Sequence, residues 1–270
     1  MNSNNNKVAI VTGGAKNIGR ATCIELAKLD FNILIHANTD KMGAEETKTF
    51  VDDYNVNSRI IIGDLTDKNF ADDLVNEASK IGNLSVLVNN ASQRNFFKFE
   101  DMTYEDWRHI LNINLDAVFL TCKKAIPLMK KNSWGRIVNL GGLSAHIGAI
   151  GRSHVVTSKL AIIGFTRALA TEYAGTGITV NCVVPGLIDT VRGKSAGQGL
   201  VHPTHSDPPI GRKGKPIEVA KLIKNLCDEN SDFINGQTIH VNGGSFFCYL
   251  FTSSYCCFGL MISMFIPVRD

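Results

Sequence analysis

Between an apolar run, Lys7–Thr12, and a helical stretch opening near Ile18 lies the segment Thr12-Gly13-Gly14-Ala15-Lys16-Asn17-Ile18-Gly19. Glycines at such a junction let the backbone approach a phosphate, whose charge the first-turn amides of the helix receive. The chemistry expected here is pyrophosphate binding. A second group bears on which dinucleotide would be held. The next apolar run is Phe31–His36, and aligning Asn32-Ile33-Leu34-Ile35-His36-Ala37-Asn38 with it puts Ala37 where a carboxylate would accept from a ribose 2′-hydroxyl and repel a 2′-phosphate. Asn38 and Thr39 add hydrogen-bonding groups nearby. Asp40 has the position of an N-cap for a helix starting near Lys41.

These groups need elements to hold them. Apolar strand-length runs recur at Ser58–Ile62, Val86–Asn89, Arg136–Leu140, Thr179–Val184 and Gln237–Val241. Between them lie stretches of helical spacing: Ile18–Leu29, Lys41–Tyr54, Asp67–Ile81, Tyr104–Lys131, Val155–Tyr173 and Pro216–Leu226. The strand runs lack polar alternation, as strands covered by helices on both faces do. The alternation of strand and helix predicts an α/β domain built on a parallel, doubly wound sheet. No internal repeat or linker divides it, which gives one domain through about Gly244. Arg192–Lys215, rich in Gly, Pro, Ser and His, has the length of a substrate loop.

Several motifs now stand in order: the glycine turn, Asp64-Leu65 after the third strand, Asn89-Asn90-Ala91-Ser92, Asn112-Ile113-Asn114-Leu115, and Pro185-Gly186 with Thr190 beyond. In these the chain resembles the short-chain dehydrogenase/reductase family, over about Lys7 to Gly244. The resemblance implies a single Rossmann-type doubly wound parallel sheet in residues 1–244. It implies cofactor contacts from Gly13, Lys16, Asn17, Ile18, Gly19, Asn38, Asp64, Leu65, Asn90, Ala91, Lys159, Pro185, Gly186, Ile188 and Thr190. Lys16 could pair with a 2′-phosphate, as basic residues there do in members that use NADP, so NADP(H) is expected over NAD(H). Asn17 stands where the family has its middle glycine. Asn is among the few residues that tolerate positive φ, so the exchange reads as neutral.

In that family a tyrosine acts as general acid or base toward the substrate oxygen. A lysine four residues on binds the ribose and lowers the tyrosine pKa. A serine after strand five holds the substrate oxygen, and an asparagine supports a water relay. Asn114 and Lys159 match this pattern. Val155 stands four residues before Lys159, and Gly142, in Asn139-Leu140-Gly141-Gly142, stands at the serine position. Their separation of 13 residues is close to the family's spacing. Three protic residues are expected surrogates. Ser144 and His146 share the face of Gly142 in extended chain, about 7 Å and 13 Å further along. His154 is five residues from Lys159, about 140° round a regular helix, and reaches the site only if the helix begins after it.

Besides a dehydratase or isomerase on the same fold, two functions are open on these residues. One is an NADP(H)-dependent reductase of a ketone-like or 3-oxoacyl carbonyl, or the matching alcohol dehydrogenase, with a non-standard proton donor. The other is a nucleotide-binding homologue that kept the cradle and lost the chemistry. The long helical stretches resemble those of the family's intersubunit bundle, and their apolar residues Val118, Phe119, Ile162 and Phe165 predict a homodimer or homotetramer.

Composition narrows the partners. Lys+Arg of 28 against Asp+Glu of 25 leaves a net charge of +3, spread without a basic run, which argues against a nucleic-acid stripe. Seven cysteines, an odd number, show no CxxC pair and no spacing suited to zinc, which favours a reduced, cytoplasmic setting. From Ser245 to Val268 there are 24 residues without a charge, enough to span a bilayer. Residues 245–270 therefore have three readings: a C-terminal membrane anchor, an apolar flap on an oligomer interface, or sequence foreign to the domain.

Overall fold

Runs of Val, Ile and Leu with no polar alternation need cover on both sides, and here they have it. A computed structural model describes residues 6–191 and 207–247. Seven strands, β1 (Lys7–Val11), β2 (Asn32–Ala37), β3 (Ser58–Ile62), β4 (Asn83–Asn89), β5 (Gly135–Leu140), β6 (Ile178–Pro185) and β7 (Thr238–Val241), make one sheet. Their order is β3-β2-β1-β4-β5-β6-β7, with every pairing parallel. The helices are α1 (Asn17–Ala27), α2 (Lys41–Asp52), α3 (Phe70–Ser79), α4 (Tyr104–Leu111), α5 (Ala117–Lys131), α6 (Ser144–Ile147), α7 (Ser153–Glu172) and α8 (Pro216–Cys227). Cys23, Leu26, Val51 and Val219, from α1, α2 and α8, pack on one face against Val11, Ile33 and Val88. Leu74, Cys122 and Ile162, from α3, α5 and α7, pack on the other against Ile10, Leu87 and Val180. The order reverses between β1 and β4, where such sheets open a crevice at the carboxyl ends of their strands.

The second face holds a chain of buried amides. Thr121 Oγ1 donates to Asn89 Oδ1 (2.8 Å), Asn89 Nδ2 to Asn139 Oδ1 (2.9 Å), and Asn139 Nδ2 to Thr166 Oγ1 (3.0 Å). Helices α5 and α7 are thereby registered on β4 and β5. At the opposite end of the sheet, Trp134 lies between Lys7 Nζ and the Arg136 guanidinium, each 4.2 Å from its ring centre. Arg136 is fully buried and ion-paired with Asp232.

Three expectations are corrected. The single helix expected over Tyr104–Lys131 is two, α4 and α5, joined by a π turn over Asn112–Asp116. The extended chain expected beyond Gly142 turns at once into α6, so Ser144 and His146 do not share a strand face with it. Of the residues expected at an intersubunit bundle, Val118 and Ile162 are core residues of their own sheet face. Phe119 is exposed, and Phe165 packs partly buried against that core. No helix among the described residues is long and apolar enough to cross a membrane. The expected substrate loop is described only from residue 207, and the tail only to residue 247.

Asn139 sits mid-chain in the amide network, so its loss leaves Asn89 Nδ2 and Thr166 Oγ1 short of partners. Asn139→Ala should lower the unfolding free energy by about 1–3 kcal/mol, read from urea denaturation midpoints.

Candidate active site

A cavity of about 520 Å³ opens at the carboxyl ends of β1, β2, β4 and β6. Its floor is the turn from Gly13 to Gly19. Gly13 takes φ +64°, and a Cβ on Gly19 would lie 2.1 Å from the Gly13 carbonyl oxygen, so only glycine closes this turn. Lys16 occupies the N-cap of α1, yet no side chain caps the helix and its first turn holds no acid. The first-turn donors are thus unclaimed by capping side chains, as an incoming anion requires. These residues fit a pyrophosphate.

The turn is tied to the sheet on two sides. Thr12 Oγ1 donates to Val88 O and accepts from the amides of Asn90 and Ala91, while Asn90 Nδ2 donates to the Thr12 and Gly13 carbonyls. On the other side the Gly13 N–H donates to His36 Nδ1 (3.2 Å), and His36 Nε2 donates to Gly63 O (2.9 Å). Those bonds set the tautomer and require a neutral ring. Burial lowers the His36 pKa, opposed by its Gly63 bond and Asp64. Asn17 adopts φ +52°, and its amide makes a two-bond bridge to Val191: Nδ2 donates to the carbonyl (2.8 Å) and Oδ1 accepts from the N–H (2.9 Å).

Ala37, Asn38, Thr39, Asp40, Asp64 and Leu65 line the end of the cavity beside β2 and β3. Ala37 is buried and brings no carboxylate. Asp40 accepts from the Gly43 N–H at the start of α2, the capping role its position predicts, and lies 3.5 Å from Lys16 Nζ. Pro185, Gly186, Ile188 and Thr190 line the other end, facing Ser92, Gln93, Arg94 and Ile113.

Behind that second end lies Asn114, fully buried within the π turn. Its Oδ1 accepts from the Gln93 N–H (2.9 Å), and its Nδ2 donates to Gln93 O (3.0 Å) and Ser158 Oγ (3.2 Å). Its amide therefore fastens the 91–93 segment to α7. Next to Ser158, Lys159 is nearly fully buried and donates to Leu140 O at the end of β5 (2.7 Å). Burial first, and then the charge of Arg94, bring the Lys159 pKa down to about 7. A Cβ on Gly142 would find Lys159 Cγ at 3.8 Å and Ser144 Oγ at 3.9 Å, with ordinary room around it.

Known proteins of this construction resemble it in sequence. A family model described as enoyl-(acyl carrier protein) reductase matches residues 13–245. The chain is 32% identical over 245 residues to a 3-oxoacyl-[acyl-carrier-protein] reductase, FabG, of Aquifex aeolicus, covering 89% of this chain and 97% of that one. It belongs to the short-chain dehydrogenase/reductase family. It is an oxidoreductase of that type, served by a nicotinamide dinucleotide. It is also 36% identical over 242 residues to an uncharacterized oxidoreductase, YhxC, of Bacillus subtilis, covering 88% and 84% of the two chains. The crystal structure of acetoin dehydrogenase YohF from Salmonella typhimurium superposes with a TM-score of 0.80 at 32% identity, covering 88% of this chain and 95% of that one.

As a short-chain dehydrogenase/reductase, the chain brings its expected cofactor residues to one cavity, with Lys159 behind the lining. The surrogate acids fare unequally. Ser144 lies beside Gly142, as its separation suggested, but through a helical turn. His154 is corrected: α7 begins at Ser153, before it, so the helix turns it away from Lys159. Its ring is fully buried against Phe97, at 5.6 Å between centres. His146 packs on His240, with ring centres 4.6 Å apart, and lies outside the cavity lining. Sequence reasoning missed His36, Gln93, Arg94 and Ser158. A histidine inside the apolar run of β2 was the available signal for the first.

Because the folded-state pKa of His36 lies below its ordinary value near 6.5, the unfolded chain takes the proton first. The stabilising contribution of neutral His36 is complete above that value and is lost as pH falls through the lowered one. Urea midpoints between pH 7.5 and 5.5 should fall further for the natural protein than for His36→Gln.

Proposed function

We propose that this chain is a divergent short-chain dehydrogenase/reductase that reduces a ketone-like or 3-oxoacyl carbonyl, or oxidises the matching alcohol, with NADP(H) preferred over NAD(H). It lacks the family's serine and tyrosine, with Gly142 and Val155 at those positions. The proton comes instead from Lys159, with Ser144 the nearest hydroxyl to the space at Gly142. A bound nicotinamide dinucleotide supplies or accepts the hydride. Substrates named for the relatives, a 3-oxoacyl carrier-protein thioester and acetoin, support the carbonyl class.

What supports this reading is a buried lysine, brought to about 7, that donates to the Leu140 carbonyl two residues before Gly142, where a Cβ would make only ordinary contacts with Lys159 Cγ and Ser144 Oγ. Water, at the ends of the pH scale, is a poor proton donor near neutrality, and an ordinary lysine holds its proton too tightly. A group with a pKa near the working pH suits general acid catalysis. The Leu140 carbonyl holds the ammonium at the carboxyl end of β5, where its charge also favours a developing alkoxide. Asn114 acts one step back, by fixing Gln93 and Ser158 on either side.

For the cofactor, Ala37 leaves the 2′-position free of a carboxylate, and Lys16 offers a cation. Asp40 is partly neutralised by Lys16 and engaged as a cap, which moderates its repulsion. The single domain is taken to run through Gly244, with 245–270 as an appended apolar tail. A homodimer or homotetramer is supported by Phe119 on α5 and Leu160 on α7, both about half exposed. Four buried free thiols, Cys23, Cys122, Cys182 and Cys227, support a reducing, cytoplasmic setting.

Fluorescence titration should give NADPH a lower Kd than NADH, with Ala37→Asp weakening NADPH at least tenfold; equal constants for the natural protein would reject the preference. Following NADPH absorbance, carbonyl reduction should fall as pH rises through about 7, since the acid form of Lys159 is lost there. Lys159→Ala should cost about 100-fold or more. The pair Gly142→Ser and Val155→Tyr should raise turnover of a simple ketone and move that pH break. An unchanged rate in Lys159→Ala would end the scheme.

A further inference from the structure

The two peptide units that open the glycine turn are clamped from both sides. Asn90 Nδ2 donates to the carbonyls of Thr12 (2.9 Å) and Gly13 (3.0 Å). His36 takes the N–H groups of the same two units. Its Nδ1 accepts from Gly13 (3.2 Å), and its backbone carbonyl accepts from Gly14 (2.7 Å). The ring is anchored in turn by Nε2, which donates to Gly63 O just past β3 (2.9 Å).

The clamp bears on the helix that would receive a phosphate. The Gly13 carbonyl oxygen lies so close to Gly19 that a Cβ there would meet it at 2.1 Å. A displaced Gly13 therefore moves against the first turn of α1, the end whose amides face an incoming anion. His36 also lines the cavity, although 1% of its surface is exposed.

We propose that His36 is a positioning residue of the cradle and that dinucleotide binding is coupled to its proton: the neutral ring holds the Gly13 peptide in place, and the imidazolium releases it. The imidazolium carries a hydrogen on Nδ1 as well, and this would face the Gly13 N–H, two donors with no acceptor between them. Either the ring turns away from Gly63 or the Gly13 peptide rotates out of reach of Asn90. The new positive charge would favour an anionic ligand and so works the other way. Both ring nitrogens are directed at backbone, however, so the charge offers a phosphate no N–H, and the broken contact at Gly13 decides the sign. Of the groups around the ring, Asp64 follows Gly63 and favours the proton, while Phe70 of α3 presents a ring, with centres 5.6 Å apart. Lys16 and Asp40, elsewhere in the lining, are paired with each other. Burial lowers the ring's pKa against the pull of Gly63 and Asp64, so the neutral form prevails at ordinary pH. The inference needs the dinucleotide binding of the family and is independent of how a carbonyl is reduced.

The test is calorimetry of NADP+ with the natural protein and His36→Asn, from pH 8 downward while circular dichroism shows the fold intact. The asparagine amide can accept from Gly13 and does not titrate. The His36 pKa of the free protein is read from its carbon-bound ring protons by NMR. One pH unit below that value, the Kd of the natural protein should have risen about tenfold more than that of His36→Asn, because only the neutral fraction binds. The 2′-phosphate of NADP+, titrating at about 6, affects both proteins alike. By reciprocity, saturating NADP+ should lower the His36 pKa further, a result that needs no variant and decides alone if His36→Asn does not fold. Parallel Kd profiles in the two proteins, or a His36 pKa that rises on binding, would overturn the inference and leave dinucleotide binding standing. So would a fold that melts before His36 takes a proton. Absence of NADP+ binding at every pH would overturn the dinucleotide reading and this coupling together.

Discussion

Polar groups buried at the carboxyl ends of the central strands must find partners inside the protein, because no water can replace them. Thr12, Asn89, Asn90 and Asn139 meet that requirement together. Thr12 and Asn90 join β1 to the segment after β4 across the reversal in strand order, and they fix the carbonyls of the glycine turn from behind. Asn89 and Asn139 continue the chain into α5 and α7. The cavity is therefore the outer surface of a hydrogen-bonded block, and shifting any strand by one residue would strand several of these amides at once. Asn114 extends the same logic to the far end, where it couples the 91–93 segment to the helix that carries Lys159.

Much of the fold was legible because burial on both faces leaves its mark on each strand. Ser58–Ile62 was found to the residue, and the other strands to within three. The π turn was not legible, since no local propensity in Asn112–Asp116 marks its wider hydrogen bonding. Helix α6 was hidden for a similar reason: four residues carry no periodicity, and Gly142 before it gave no helix signal.

The two ends of the site differed in the same way. A phosphate cradle depends on backbone geometry, which glycine positions disclose, so the shape of the turn could be read directly. Proton transfer depends on side-chain direction, and that turned on where α7 starts. A first residue at Ser153 and not beyond His154 rotates the histidine into the core beside Phe97, and no cap residue at Arg152 announces the boundary. The resemblance put Gly142 and Val155 where a serine and a tyrosine are expected, but nothing in the residue types showed that burial would lower the Lys159 pKa. That property belongs to the packing around it.

Asn17 reads in the sequence as an indifferent replacement for glycine, and its backbone angle is indeed one glycine would accept. Its side chain, however, offers Val191 the donor and acceptor that a neighbouring strand would offer. The glycine turn belongs to the first half of the sheet, and Val191 follows β6 in the second, so this one amide is a mechanical tie between the halves across the mouth of the cavity. Glycine at this position would make neither of these bonds. The exchange thus changes how the turn is tied to the chain that follows β6, and not its backbone angle alone.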